Sequence, residues 1–148
     1  MGRDKDKPMN TLPFRQQHAR ILKLGTLLGE QAKAAADPTT VNDVLATLEA
    51  FTAELVEHLE QEDGYLYPAM IASNDGDLSA LAARYRAEMG GITDLFHLYR
   101  RRWTAETIRT DPLRFARETG LLLDGLVDRV RRENEDLYPA AEKMTSAA

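Results

Sequence analysis

The sequence predicts an all-α protein folded as a single up-down-up-down four-helix bundle. Three observations carry that expectation. Apolar residues recur at helical spacing along four stretches, and no segment alternates with the two-residue period of a strand. Short breaks rich in Pro, Asp, Asn, Gly and Thr separate the stretches. A length of 148 residues, 43% apolar and 29% charged, suits one domain with one core.

Residues 1–10 are charged and without periodicity and read as a flexible tail, as do residues 145–148; the bundle is expected over 11–144. Helix one begins near Thr11 and Pro13 and carries Phe14, Ile21, Leu22, Leu28 and Ala32, with His18 on the same face. The break "ADPTT" follows at 36–40, where Thr40 and Asp43 resemble a capping box. Helix two runs Val41, Leu45, Leu48, Leu55, Leu59, Leu66, interrupted by His58 and Glu62. After "SNDGD" at 73–77, with Asp77 the expected N-cap, helix three carries Leu81, Tyr85, Met89, Ile92, Phe96, Tyr99 and Trp103. Gly90 and Gly91 inside it suggest a bend or a close helix approach, since each costs about 1 kcal/mol relative to alanine. Asp111 and Pro112 then cap and start helix four, whose stripe is Phe115, Leu122, Leu126, Arg129, Glu133 and Leu137.

The totals also exclude functions. With no cysteine there is no disulfide, thiolate metal site or cysteine nucleophile, which fits a cytoplasmic protein. No apolar run approaches the length of a membrane span, and the first ten residues do not read as a secretory signal. A formal net charge of −5 disfavours nucleic-acid binding, and the basic run "YRRRW" at 99–103 reads as a solvated helix face. No Ser-His-Asp set, phosphate loop or haem-attachment motif is present, so the protein is expected not to be an enzyme.

One phrase occurs twice. "LVEHLEQEDGYLYPA" at 55–69 and "LVDRVRRENEDLYPA" at 126–140 share seven of fifteen residues. Helices two and four are parallel and diagonal in such a bundle, so the repeat sets equivalent side chains at one depth. Pro68 and Pro139 would kink or end both helices alike. Glu62 and Glu133 fall on the inner faces, where carboxylates are costly unless paired or metal-bound. His58 lies one turn before Glu62, so one helix can offer two ligands to one metal, and His18 faces in from helix one. Tyr67 and Tyr138 read as core residues with wet hydroxyls. His97 lies off the inner stripe and is not read as a ligand.

This pattern, carried by "EHLEQEDGYLYP" and "DRVRRENEDLYP", resembles the hemerythrin-like (HHE cation-binding) proteins over roughly residues 14–144. The resemblance implies a four-helix bundle around a non-haem di-iron centre. Transferred by position, it implies His18, His58, Glu62 and Glu133 as metal ligands. Two positions depart from it: Met89 and Arg129 stand where histidines are expected. Arginine stays protonated and offers no lone pair, whereas its fork fits carboxylates. An inward Arg129 would meet Glu62 and Glu133 and take the charge of one iron, while Met89 fills core volume. The expectation is a regulatory or protein-binding module that has lost the di-iron centre and has no cofactor. Its partner would be another protein or a second copy of the chain, neither nucleic acid nor membrane. The alternative is a non-haem iron protein with a reduced mono- or di-metal site that senses or carries O2, NO or peroxide.

Overall fold

The computed structural model describes residues 9–144. The remainder of the expected tails, 1–8 and 145–148, lies outside the described residues. Among the described residues seven α-helices occur in the order α1 (Leu12–Lys33), α2 (Val41–Gln61), α3 (Tyr67–Ile71), α4 (Gly76–Arg102), α5 (Ala105–Thr110), α6 (Pro112–Arg132) and α7 (Tyr138–Glu142). There is no strand among the described residues. A single π-helical turn, Glu62–Leu66, joins α2 to α3, and a second, Glu133–Leu137, joins α6 to α7. The bundle therefore has four rods: α1, α2–α3, α4 and α6–α7. The first rod packs against both α2 and α6, which puts the second and fourth rods on a diagonal.

Local chemistry sets the ends of the rods, in places differently from the sequence expectation. Asp75, not Asp77, caps α4, accepting from the N–H groups of Asp77 and Leu78. Thr40 makes no capping bond to α2; its hydroxyl donates back to the carbonyls of Ala34 and Asp37, closing the preceding turn. Helix three stops at Arg102, earlier than its apolar stripe suggested. Trp103 turns extended, and Thr104 and Thr107 form a capping box that starts the short α5. Asp111 caps α6 through the Arg114 N–H with Pro112 at the first position, as the sequence indicates. Gly90 and Gly91 neither break α4 nor admit a neighbour, for a Cβ at either would meet nothing within 4 Å. The close approach lies instead at Gly25 and Gly29 of α1, where a Cβ would stand 3.2 Å from the Leu123 side chain of α6. Past the first rod, Met9 N–H donates to the Met144 carbonyl, so the chain's two described ends meet. The Thr11 hydroxyl donates to Glu142, joining the same ends through side chains.

The core is split in two. One apolar cluster gathers Ile21, Leu28, Val44, Leu48, Phe51, Met89, Phe96 and Phe115. The other gathers Phe14, Leu66, Tyr67, Met70, Tyr85, Leu137 and Tyr138. On three of the rods the buried histidines, acids and arginine fall between these clusters: His18 between Phe14 and Ile21, His58 and Glu62 between Leu55 and Leu66, Arg129 and Glu133 between Leu126 and Leu137. The protein thus carries a polar layer through the middle of an otherwise apolar bundle.

The cap assignment can be checked by denaturant unfolding. Asp75→Ala should lower stability by about 1 kcal/mol, the usual worth of an N-cap. Asp77→Ala should cost about half of that or less, because it supplies only charge near a helix N-terminus. Equal losses would contradict the assignment.

Candidate metal centre

The two π turns place the centre. Pro68 and Pro139 lack an N–H, and a proline ring crowds the carbonyl four residues back. One widened turn just before each proline absorbs that conflict, closed by the Tyr67 N–H on the Glu62 carbonyl and the Tyr138 N–H on the Glu133 carbonyl. In a regular α-helix, side chains five apart diverge by about 140°. The widened turn closes that angle and brings Tyr67 to the face of Glu62, and Tyr138 to that of Glu133.

Ligating atoms of His18, His58, Glu62 and Glu133 lie within 4.8 Å of one another, and all four residues are buried. His18 Nε2 is 3.0 Å from His58 Nε2 and 2.9 Å from Glu133 Oε1. His58 Nε2 is 3.3 Å from Glu62 Oε2 and 3.8 Å from Glu133 Oε1. Both rings are held from behind. Gln17 donates its amide N–H to Gln61 Oε1 at 2.6 Å, which turns its own carbonyl oxygen to His58 Nδ1, 2.7 Å away. Asn134 Oδ1 stands 2.9 Å from His18 Nδ1. An N–H on each Nδ1 donates to these oxygens and leaves each Nε2 to the cluster, an arrangement typical of histidine ligands. Neither Gln17 nor Asn134 was singled out from the sequence, although each adjoins a predicted site residue.

The tyrosine hydroxyls are not wet. Both residues are fully buried and their hydroxyls cross between the rods. Tyr138 donates to Glu62 Oε2 at 2.8 Å and lies 3.1 Å from His18 Nε2. Tyr67 donates to Glu133 Oε2 at 3.2 Å, with Glu62 Oε1 at 3.5 Å. Sequence reasoning missed this because it treated both helices as regular up to their prolines.

Arg129 is buried and points into the bundle, but its fork does not close on Glu62 and Glu133. Its two terminal nitrogens donate to Glu88 Oε2 at 2.6 Å and to the Tyr85 carbonyl at 2.5 Å. The guanidinium lies 4.3 Å from the centre of the Tyr85 ring. Its Nε faces Glu133 Oε2 at 3.8 Å, too far for a hydrogen bond. So Arg129 meets Glu133 as a neighbouring charge and Glu62 not at all. Met89 is buried in the apolar cluster, and His97 is exposed.

A family model described as Hemerythrin HHE cation binding domain matches residues 13–141. The chain belongs to that family. Comparison with curated proteins and with solved structures gave no match. In this hemerythrin-like bundle, the His/Glu cluster is a group that could hold a metal ion.

Without an ion, protons must settle the charges. Burial disfavours the His58 cation, but Glu133 and Glu62 outweigh it and push His58 up to about 9. Burial would raise Glu133 as well, yet His18 and His58 beside it hold its carboxyl down at about 2. Burial and the Glu133 charge together raise Glu62. Without an ion, a cationic His58 is thus favoured between Glu62 at 3.3 Å and Glu133 at 3.8 Å, with Glu133 the more readily ionised of the two acids.

The signs give a pH dependence. A raised histidine stabilises the fold fully below its unfolded value and loses that contribution as pH rises through the folded value. For His58 the window runs from 6.5 to about 9. Glu133 stabilises above its ordinary carboxylate value and is lost only on acidification towards about 2. In chelator, the thermal midpoint should fall from pH 6.5 to 9, and His58→Gln should flatten that fall. A midpoint unchanged across the window would mean that His58 is neutral in the fold.

Proposed function

We propose that this protein is a hemerythrin-like domain without the family's dinuclear centre, built to hold one divalent ion on His18, His58, Glu62 and Glu133. The observation that carries the reading is the spacing of the four donors. An ion about 2.0–2.2 Å from each nitrogen and oxygen requires neighbouring donors to stand roughly 2.8–3.6 Å apart, the lower end for octahedral and the upper for tetrahedral geometry. Three separations within the cluster, 2.9, 3.0 and 3.3 Å, fall in that range, and the fourth, His58 to Glu133 at 3.8 Å, is slightly longer. Two carboxylates balance a divalent charge, and two imidazoles with oriented Nδ1 groups complete a set suited to iron, manganese or zinc. The donor set does not suit two ions. At the two remaining positions where the family would offer histidines stand a guanidinium, which cannot ligate, and the soft thioether of Met89.

Iron bound here would supply reversible binding of O2, NO or peroxide. The chain's own residues orient the two imidazoles, keep water out between two apolar clusters, and hold a fixed positive charge beside Glu133. The role that follows is non-enzymatic: a sensor or carrier of such small ligands, signalling to a protein partner or a second copy of the chain.

A second reading has its own observation. The cluster satisfies itself with protons, through the His58–Glu133 pair and the two tyrosine donors. A bundle that folds this way needs no metal and could act purely as a protein-binding module.

Metal analysis separates the two. Protein made in iron-supplemented medium should hold about one iron, manganese or zinc ion per chain, and His58→Ala should lose it. The double variant Met89→His/Arg129→His should raise the iron content towards two per chain, because it restores the missing nitrogen donors. Near-zero metal in a wild-type protein that stays folded in chelator would establish the second reading. Two irons in the wild type would overturn both.

A further inference from the structure

The sequence repeat makes Tyr67 and Tyr138 equivalents, but the structure does not treat them equally. In each carboxylate one oxygen faces the histidines: Glu62 Oε2 faces His58 and Glu133 Oε1 faces His18. The Tyr67 hydroxyl touches only the other two oxygens, Glu133 Oε2 at 3.2 Å and Glu62 Oε1 at 3.5 Å. It sits behind the carboxylates, on the side away from the donor ring. The Tyr138 hydroxyl sits in the ring itself. It is 2.8 Å from Glu62 Oε2 and 3.1 Å from His18 Nε2, both of them donor atoms of the cluster. Those separations are the ones found among the histidine and carboxylate donors.

Resting on the single-ion reading above, we propose that Tyr138 is a fifth ligand, its phenolate oxygen joining His18, His58, Glu62 and Glu133 around the ion. The Tyr138 ring cannot easily swing away. It stacks on the His18 imidazole, centroids 5.2 Å apart, and leans on Phe14 at 5.8 Å. Its hydroxyl has no solvent to turn to, because the residue is fully buried. Forming the bond breaks the phenol O–H. The proton leaves to bulk water, the ion takes its place against the oxygen, and no electron moves. Tyr67 keeps its proton and remains a donor to the outer oxygens, so it is a positioning residue and not a ligand.

A phenolate on ferric iron has a visible charge-transfer band and, under resonance excitation, tyrosine-ring vibrations; the histidine and carboxylate ligands alone give neither. The test is to load the full chain with iron(II) sulfate, oxidise it with ferricyanide, measure iron per chain, and verify the ferric state by electron paramagnetic resonance. Wild type should show the band and the ring vibrations. Tyr138→Phe should retain iron and lose the band at least tenfold, and Tyr67→Phe should keep it. Wild type holding ferric iron without the band would overturn the ligation and leave the single-ion reading standing. A band that survives Tyr138→Phe, or that disappears in Tyr67→Phe, would also overturn it. Should Tyr138→Phe fail to fold, the wild-type spectrum and Tyr67→Phe still decide. A wild type that takes up no iron would overturn this assignment, and one that takes up neither iron, manganese nor zinc would remove the single-ion reading with it.

Discussion

Two carboxylates are buried at the centre of a helical bundle, and the rest of the structure answers to that. Glu62 and Glu133 are fully enclosed. An isolated ionised carboxylate in such a place is far too costly to persist, so each must be given partners or a proton. The chain gathers those partners here. Two of its three histidines face these acids, two of its five tyrosines donate to them, and a buried arginine stands beside one. The two apolar clusters lie on either side of this layer, so water cannot relieve the charges from above or below.

The π turns convert a sequence repeat into that layer. Proline one residue after each tyrosine disfavours a regular helix at both places, and the extra residue in each turn carries a hydroxyl onto the acid of the opposite rod. The crossing ties the second and fourth rods together through their most polar atoms. It also breaks the symmetry that the repeat suggests. One hydroxyl lies among the donors and the other behind them, because α1 contributes His18 next to Tyr138 and no counterpart next to Tyr67.

Much of this was legible in the sequence, and what was not has a common cause. Four apolar stripes gave the bundle, and the placement of His18, His58, Glu62 and Glu133 on inner faces follows from 3.6-residue periodicity alone. The tyrosine hydroxyls did not, since periodicity assumes regular turns and the π turns violate it at the decisive place. The partners of Arg129 were equally out of reach. Its inward direction follows from its stripe, but Glu88 and the Tyr85 carbonyl lie on another rod, and no local pattern on helix four points to them. The caps at Asp75 and Thr104 were missed for a smaller reason. Several Asp, Asn, Ser and Thr residues compete at each break, and one-residue differences decide which side chain reaches the free N–H groups.

On the single-ion reading, Arg129 accounts for the occupancy. A guanidinium is a permanent charge of +1 that no pH or ion concentration removes. It is held by Glu88, which also accepts from Arg132, and by a backbone carbonyl, so it does not depend on Glu133 for its place. Glu133 therefore feels a fixed positive charge on one side and keeps its other oxygen for the histidines. On the proposed reading, a divalent ion between His18, His58, Glu62 and Glu133 cancels the charge of the two carboxylates. A second ion on the Arg129 side would bring two further charges against a cation that cannot leave. The same fixed charge favours the fold when no ion is bound, because it offsets part of the buried negative charge and leaves His58 to offset the rest. On that reading, one residue both lowers the capacity of the site and relaxes the fold's need for metal. It does both by one means, a charge placed beside Glu133 and anchored elsewhere.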